Sequence, residues 1–264
     1  KQMNTRKSLL ALSLLAASTL AHADYSFKNV SVNWLDWSDR TTQQSGKKDF
    51  AYLEAEGGMG GKWGELYGFF DLENPGKGNG GTDSKDRRFT TKVVGRYNMT
   101  EIGGVPVQLY GHIYDTRGNG GTVNGQNFAH FFTENRVLGL GTDLSFGKLN
   151  IKPFFGVHNQ LDSFGTGSGY NGFMTGYVLL YPFQAFGQNM MITQWHETEF
   201  NRQDKFIGAY KSGDNPRVGQ NGAIALWWTP VKEVITGIQY RYADQKLGST
   251  AYQNAVIYSV KYNF

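Results

Sequence analysis

The sequence predicts an all-β fold, a transmembrane antiparallel up-and-down β-barrel of about 12 strands. Three observations predict it. The N-terminus has the pattern of an export signal. The mean hydropathy is only −0.46, although the chain carries eighteen Phe and fifteen Tyr. Segments of about ten residues alternate in polarity, which sends apolar side chains to lipid and polar ones inward while the average stays low.

Met3-Asn4-Thr5-Arg6-Lys7 is basic, Ser8 to Leu20 is apolar, and Ala21-His22-Ala23 places small residues where a signal peptidase reads. The apolar run is shorter than the ~20 residues of a spanning helix. Residues 1–23 are therefore expected to be a cleaved signal peptide, and residues 24–264 the barrel domain. Removing Lys1, Arg6 and Lys7 with that segment takes the formal charge from +4 to +1. The basic character of the whole chain is thus no argument for a nucleic-acid partner. Cysteine is absent, so disulfides and thiol chemistry are excluded, and stability must come from a closed fold.

The strands follow from period two. Phe89, Val93, Gly95 and Tyr97 share one face, opposite Arg88, Lys92 and Arg96. Leu66, Gly68, Phe70 and Leu72 oppose Glu65, Tyr67, Phe69 and Asp71; Ala51, Leu53 and Ala55 oppose Tyr52, Glu54 and Glu56. Val107, Leu109 and Ile113 oppose Gln108, Tyr110, His112 and Tyr114, and Ile151, Phe155 and Val157 oppose Lys152, Phe154 and His158. Ile238, Tyr240 and Tyr242 oppose Gln239 and Arg241. Segments near Val137–Thr142, Phe173–Phe183 and Ile224–Trp228 are apolar on both faces, and nothing decides which of Trp227 and Trp228 points inward. The Gly-rich stretches Asn74–Thr82, Arg117–Gln126 and Gly165–Gly172 read as long loops. At about 20 residues per strand with its share of turn and loop, the mature chain holds about 12 strands.

The last strand ends Val256-Ile257-Tyr258-Ser259-Val260-Lys261-Tyr262-Asn263-Phe264. Its Val256, Tyr258, Val260, Tyr262 and Phe264 face is apolar, and the ending resembles the terminal signal that the barrel assembly machinery reads. Lys261 and Asn263 lie on the inward face, near the periplasmic exit, and are expected to shape the pore mouth.

Three blocks carry a family resemblance: Tyr52-Leu53-Glu54-Ala55-Glu56 followed by Leu66-Tyr67-Gly68-Phe69-Phe70-Asp71; Gly139-Leu140-Gly141-Thr142-Asp143; and Tyr262-Asn263-Phe264. Together they resemble the Tsx-like family of nucleoside-specific channels, which includes the OmpK-type proteins. That resemblance implies a monomeric 12-stranded outer-membrane barrel with a narrow aromatic-lined pore, for passive uptake of nucleosides and deoxynucleosides. No enzyme activity, cofactor or metal is expected. The expected partners are nucleosides as solutes, outer-membrane lipid and lipopolysaccharide, the assembly machinery and, at the exposed loops, phage.

A nucleoside has a flat base and a hydroxylated sugar. Its passage needs π-faces and polar groups that hold it shallowly enough to release it. The inward faces supply rings at Tyr67, Phe69, Tyr110, Tyr114, Phe154 and Trp195. They supply polar groups at Glu54, Glu56, Asp71, Arg88, Lys92, Arg96, His112, Lys152, Glu197 and Arg241. These sixteen are the candidate lumen residues. Any one of the charges equally suits a structural ion pair that fills a small barrel, and Arg88, Lys92 and Arg96 are open to pairing with Glu54, Glu56 and Asp71. Tyr97, Tyr240, Tyr242, Tyr258 and Tyr262 read as interfacial anchors. The histidines lack metal-ligand spacing. A lipid-face His196 with Ser163 or Ser168 has no motif behind it, so the enzyme reading is set aside. Two alternatives stay open: a phage- or colicin-receptor barrel with little transport, and a general small-solute porin.

Overall fold

The computed structural model describes residues 24–77, 87–123, 126–163 and 167–264. The expected signal peptide and the Gly78–Gly81 motif lie outside the described residues. The strands are β1 (Tyr25–Trp37), β2 (Phe50–Gly61), β3 (Gly64–Glu73), β4 (Arg88–Ile102), β5 (Val105–Val123), β6 (Gln126–Gly141), β7 (Leu144–Phe146), β8 (Leu149–Asp162), β9 (Gly167–Ala185), β10 (Gln188–Phe200), β11 (Gly219–Val231), β12 (Val234–Asp244) and β13 (Gln253–Asn263).

All pairings are antiparallel between neighbours in the chain, with two exceptions that define the shape. β1 pairs with β13, from Asn29 against Asn263 to Trp37 against Ala255. β6 pairs with β8, while β7 prolongs β6 along the same edge of β8 after a break at Thr142-Asp143. The sheet therefore closes on itself as a 12-stave barrel. Closure leaves no free edge, which is what a β-structure in lipid requires.

Connections alternate between short and long. Two-residue turns join β2 to β3, β4 to β5, β9 to β10 and β12 to its predecessor β11. At Gly103 and Gly104 the φ angles are +62° and +80°, the paired left-handed backbone of a tight hairpin, which glycine adopts without penalty. Short turns and both ends of the barrel lie together, on the periplasmic side by the rule for such barrels. Apart from the β5–β6 hairpin, the opposite rim carries the longer connections, including α1 (Asp39–Ser45), capped by the Ser38 side chain and closed by Gly46 at φ +68°.

The stretch Arg117–Gln126 departs from the expectation of a loop. β5 runs on to Val123 and β6 starts at Gln126, with pairs such as Arg117 against Phe132 and Val123 against Gln126. Glycine lowers strand propensity, but a paired hairpin arm satisfies the backbone regardless. Likewise β9 already begins at Gly167, inside the other expected loop.

The outer face is apolar: Val30, Val32, Trp34, Leu53, Phe70, Ile113, Leu138, Leu140, Phe155, Ile224 and Val260 are all exposed to the surrounding phase. Tyr97, Tyr240, Tyr258 and Tyr262 stand on that face as well, 39–59% exposed, where interfacial anchors belong. Of the consecutive tryptophans, Trp228 points outward, whereas Trp227 turns inward and its indole N–H donates to the Thr193 hydroxyl at 2.8 Å.

Candidate functional site

Register decides which side chains enter the lumen. On β1, buried Asn29, Ser31 and Asn33 alternate with exposed Val30, Val32 and Trp34, so the odd positions face inward. Facing pairs share a side, and the pairing carries that assignment around the ring. Ser31 faces Glu54, Glu54 faces Asp71, Phe69 faces Lys92, Arg96 faces Tyr110, and Gly141 faces Phe154. Continuing, Lys152 faces Val178, Val178 faces Trp195, Trp195 faces Ala223, and Ala223 faces Arg241. All sixteen candidate residues stand on the lumen side, but they divide into two groups.

The first group is packed. Tyr110 and Phe154 stack with ring centroids 4.2 Å apart and 13° between planes. They reach each other across β6 because Gly139 and Gly141 leave its inward face empty. A Cβ at Gly139 would run into the Phe155 carbonyl, and one at Gly141 would stand 2.9 Å from the Arg96 guanidinium. Val94, Val137 and Met174 complete this cluster. Tyr110 is 2% and Phe154 6% exposed, so neither ring face is open to a solute. The Tyr110 hydroxyl is 2.7 Å from Nδ1 of His112, which is itself buried.

Arg96 belongs to the same block. It donates to the carbonyls of Lys152 at 2.9 Å and of Thr142 and Pro153 at 3.3 Å each, and its guanidinium lies 4.8 Å from the Tyr110 ring centre. The Thr142 carbonyl is free to accept because β6 stops pairing there. Arg96 therefore ties β4 to β8 past the two staves between them. The Gly139–Asp143 block supplies both the gap for the rings and an acceptor for the arginine, while Asp143 accepts from Asn150 and pairs with Lys152.

The second group lines what is left open, and its charges span the lumen. Lys92 on β4 pairs with Glu197 on β10, and Lys152 on β8 pairs with Glu65 on β3. In ring order the first pair is five staves apart and the second four. Twelve staves ~4.8 Å apart and tilted by ~40° would enclose a circle about 24 Å across. Lysine and glutamate side chains together do not span that, so the cross-section is flattened where they meet. Lys261 joins Glu56 at 2.7 Å and Glu54 at 3.5 Å, and it stands 4.5 Å from the centre of the Trp227 ring. It is thus engaged with lumen carboxylates rather than framing the mouth. Arg88 pairs with Glu73 on the adjacent strand at 2.5 Å. The Arg88–Lys92–Arg96 ladder accordingly takes three separate partners, none of them Glu54, Glu56 or Asp71, because its register neighbours on β3 are Glu73, Phe69 and Glu65.

The remaining rings, Tyr67, Phe69, Tyr114 and Trp195, are each half-buried, and Tyr67 packs against the Tyr110 cluster. The Tyr67 hydroxyl donates to Glu56 at 2.8 Å. Sequence reasoning left out Phe27, 6.4 Å from Tyr67 between ring centres, and Trp227. Phe27 stands outside the clean alternation of the neighbouring segments, and the Trp pair is symmetric in sequence. Sequence reasoning also passed over the extracellular mouth. There Glu199 accepts from Arg202 and Lys246 at 2.8 and 2.7 Å, and Arg202 donates to the Gln245 carbonyl at 2.8 Å. These contacts bring the loops after β10 and β12 together, and no local pattern announces them. His196 points away from the lumen, between the hydroxyls of Tyr242 (2.8 Å) and Thr198 (3.0 Å).

The sequence profile of the nucleoside-specific channel-forming protein Tsx matches residues 32–264. The chain belongs to the Tsx family. A Tsx-like chain is an outer-membrane β-barrel of a channel-forming, non-enzymatic kind. Outer membrane protein OmpK of Vibrio parahaemolyticus (serotype O3:K6, strain RIMD 2210633) is 29% identical over 230 residues, covering 79% of this chain and 81% of that one. Among solved structures, the translocator domain of the autotransporter NalP from Neisseria meningitidis matches at 11% identity and a TM-score of 0.44, over 98% of this chain and 96% of that one. Pseudomonas putida OprB matches at 9% and 0.41, over 96% and 97%. Both structural likenesses are too weak to bear on this Tsx-family chain.

Proposed function

We infer that this barrel is a passive, selective pore for nucleosides and deoxynucleosides. The observation that carries the reading is the juxtaposition of open ring faces with hydrogen-bonding charges in one sector of the lumen. Tyr67, Phe69 and Trp195 stand beside Glu54, Glu56, Asp71 and Lys92. A base would slide from ring to ring, since stacking is tolerant of base identity. Its sugar hydroxyls would exchange water for carboxylate and ammonium contacts, each weak enough to release. Arg88, Tyr114, Lys152, Glu197 and Arg241 complete the polar wall, whereas Arg96, Tyr110, His112 and Phe154 act by holding that wall in place.

Purified protein in a planar bilayer is expected to show a small conductance that adenosine or thymidine lowers at millimolar concentration. A current untouched by both would overturn the reading. A receptor barrel with little transport is favoured by the lumen-filling cluster around Tyr110 and by the long β5–β6 hairpin. It predicts liposomes that do not swell in any small solute.

A further inference from the structure

Lys92 and Glu197 are each other's partner only across the lumen. Lys92's register neighbours are Phe69 and Tyr114, and Glu197's are Gly176 and Asn221, so neither wall offers an opposite charge beside it. Ordering a long side chain costs conformational entropy, which a flexible surface lysine would not give up for a single exposed pair. Here both groups are largely withdrawn from water, with 16% and 13% of their side chains exposed. The lysine ammonium also sits 5.8 Å from the centre of the Trp195 ring, one inward position below Glu197 on the same strand.

Packed side chains stand on both sides of this bar. Towards β5, β6, β8 and β9 the space is occupied by His112, Tyr110, Phe154 and Met174, none more than 6% exposed. Towards β1, β2 and β13 lies a second buried cluster, Leu35, Trp37, Phe50, Ala255 and Ile257, and Lys261 reaches from Glu56 to the Trp227 ring.

We propose that the Lys92–Glu197 pair is a crossbar that sets the solute-size limit of this barrel. A solute passing the bar meets Trp195, Phe69 and Tyr114 beside it. The bar fixes how large a molecule passes, and the rings beside it fix which kind.

The test uses potassium chloride conductance and the uptake of neutral sugars of graded size into liposomes. Neither readout depends on nucleosides, so failure of the nucleoside reading and failure of the crossbar are distinguishable. Lys92→Met and Glu197→Gln are each expected to raise conductance by roughly twofold, as when a pore-lining constriction is removed, and to admit larger sugars. Exchanging the two charges in one chain, Lys92→Glu with Glu197→Lys, is expected to restore both values. Heat-modifiable mobility on a gel reports folding, and Glu197→Gln keeps the shape of the pair where Lys92→Met fails to fold. Unchanged conductance and size limit in the folded single variants, or an exchanged variant as wide as they are, would overturn the proposal.

Discussion

Tyr110 and Phe154 stack at 4.2 Å on either side of β6, over the two inward glycines Gly139 and Gly141. The pair centres one of two buried apolar clusters inside the barrel among the described residues. Phe154→Ala should therefore cost ~3–5 kcal/mol, the usual loss for emptying a buried aromatic site. Urea titration of the folded barrel in lipid, followed by tryptophan fluorescence, checks this. A loss below ~1 kcal/mol would mean that the rings are dispensable lining.

Gly139→Val should do more damage than its added volume suggests. The new side chain collides with backbone, the Phe155 carbonyl and Gly156, which a rotamer change cannot relieve. The expected outcome is failure of β6 to pair with β8. It is read as loss of the compact, heat-modifiable form on a gel, whereas Leu140→Val on the lipid face keeps it.

Arg96→Lys should not rescue Arg96→Ala. The guanidinium serves carbonyls in three directions, which an ammonium point charge with one stem cannot reproduce. Leaving those buried acceptors without donors costs ~2–4 kcal/mol, so both variants should lose a similar amount in the same urea titration. Full stability in the lysine variant would show that charge alone matters there.

Trp195→Ala should leave folding intact and weaken nucleoside block. Base stacking on an aromatic side chain contributes ~1–3 kcal/mol, and the low end applies to a pore that must release its solute, giving a drop of roughly fivefold in apparent affinity. Titrating the open-channel current with thymidine measures it. An unchanged titration would remove Trp195 from the path.

Much of this barrel was legible in the sequence because period two is a local property. The alternation of Phe89 to Tyr97 alone fixed the inward set Arg88, Lys92 and Arg96, and the same rule placed every candidate on the lumen side. What period two does not carry is distance across the lumen. Tyr110 and Phe69 have the same pattern around them, yet one is sealed against Phe154 and the other stays open, because only β6 offers glycines at the right register. By sequence Lys92 is open to pairing with an acid on a nearby strand. Its partner sits on the opposite wall, 105 residues away in the chain, a relationship set by barrel closure and flattening. The Gly-rich Arg117–Gln126 stretch looked like a loop since glycine disfavours strands on its own; cross-strand pairing overrode that preference.

The central claim is that the open sector beside Trp195 conducts nucleosides by stacking and weak polar contact. The most direct measurement is single-channel current with adenosine added to one side, set against ribose, which has the sugar without the base. The claim predicts brief interruptions that grow in frequency with adenosine and are absent with ribose. Equal interruption by ribose, or none by adenosine, would contradict it.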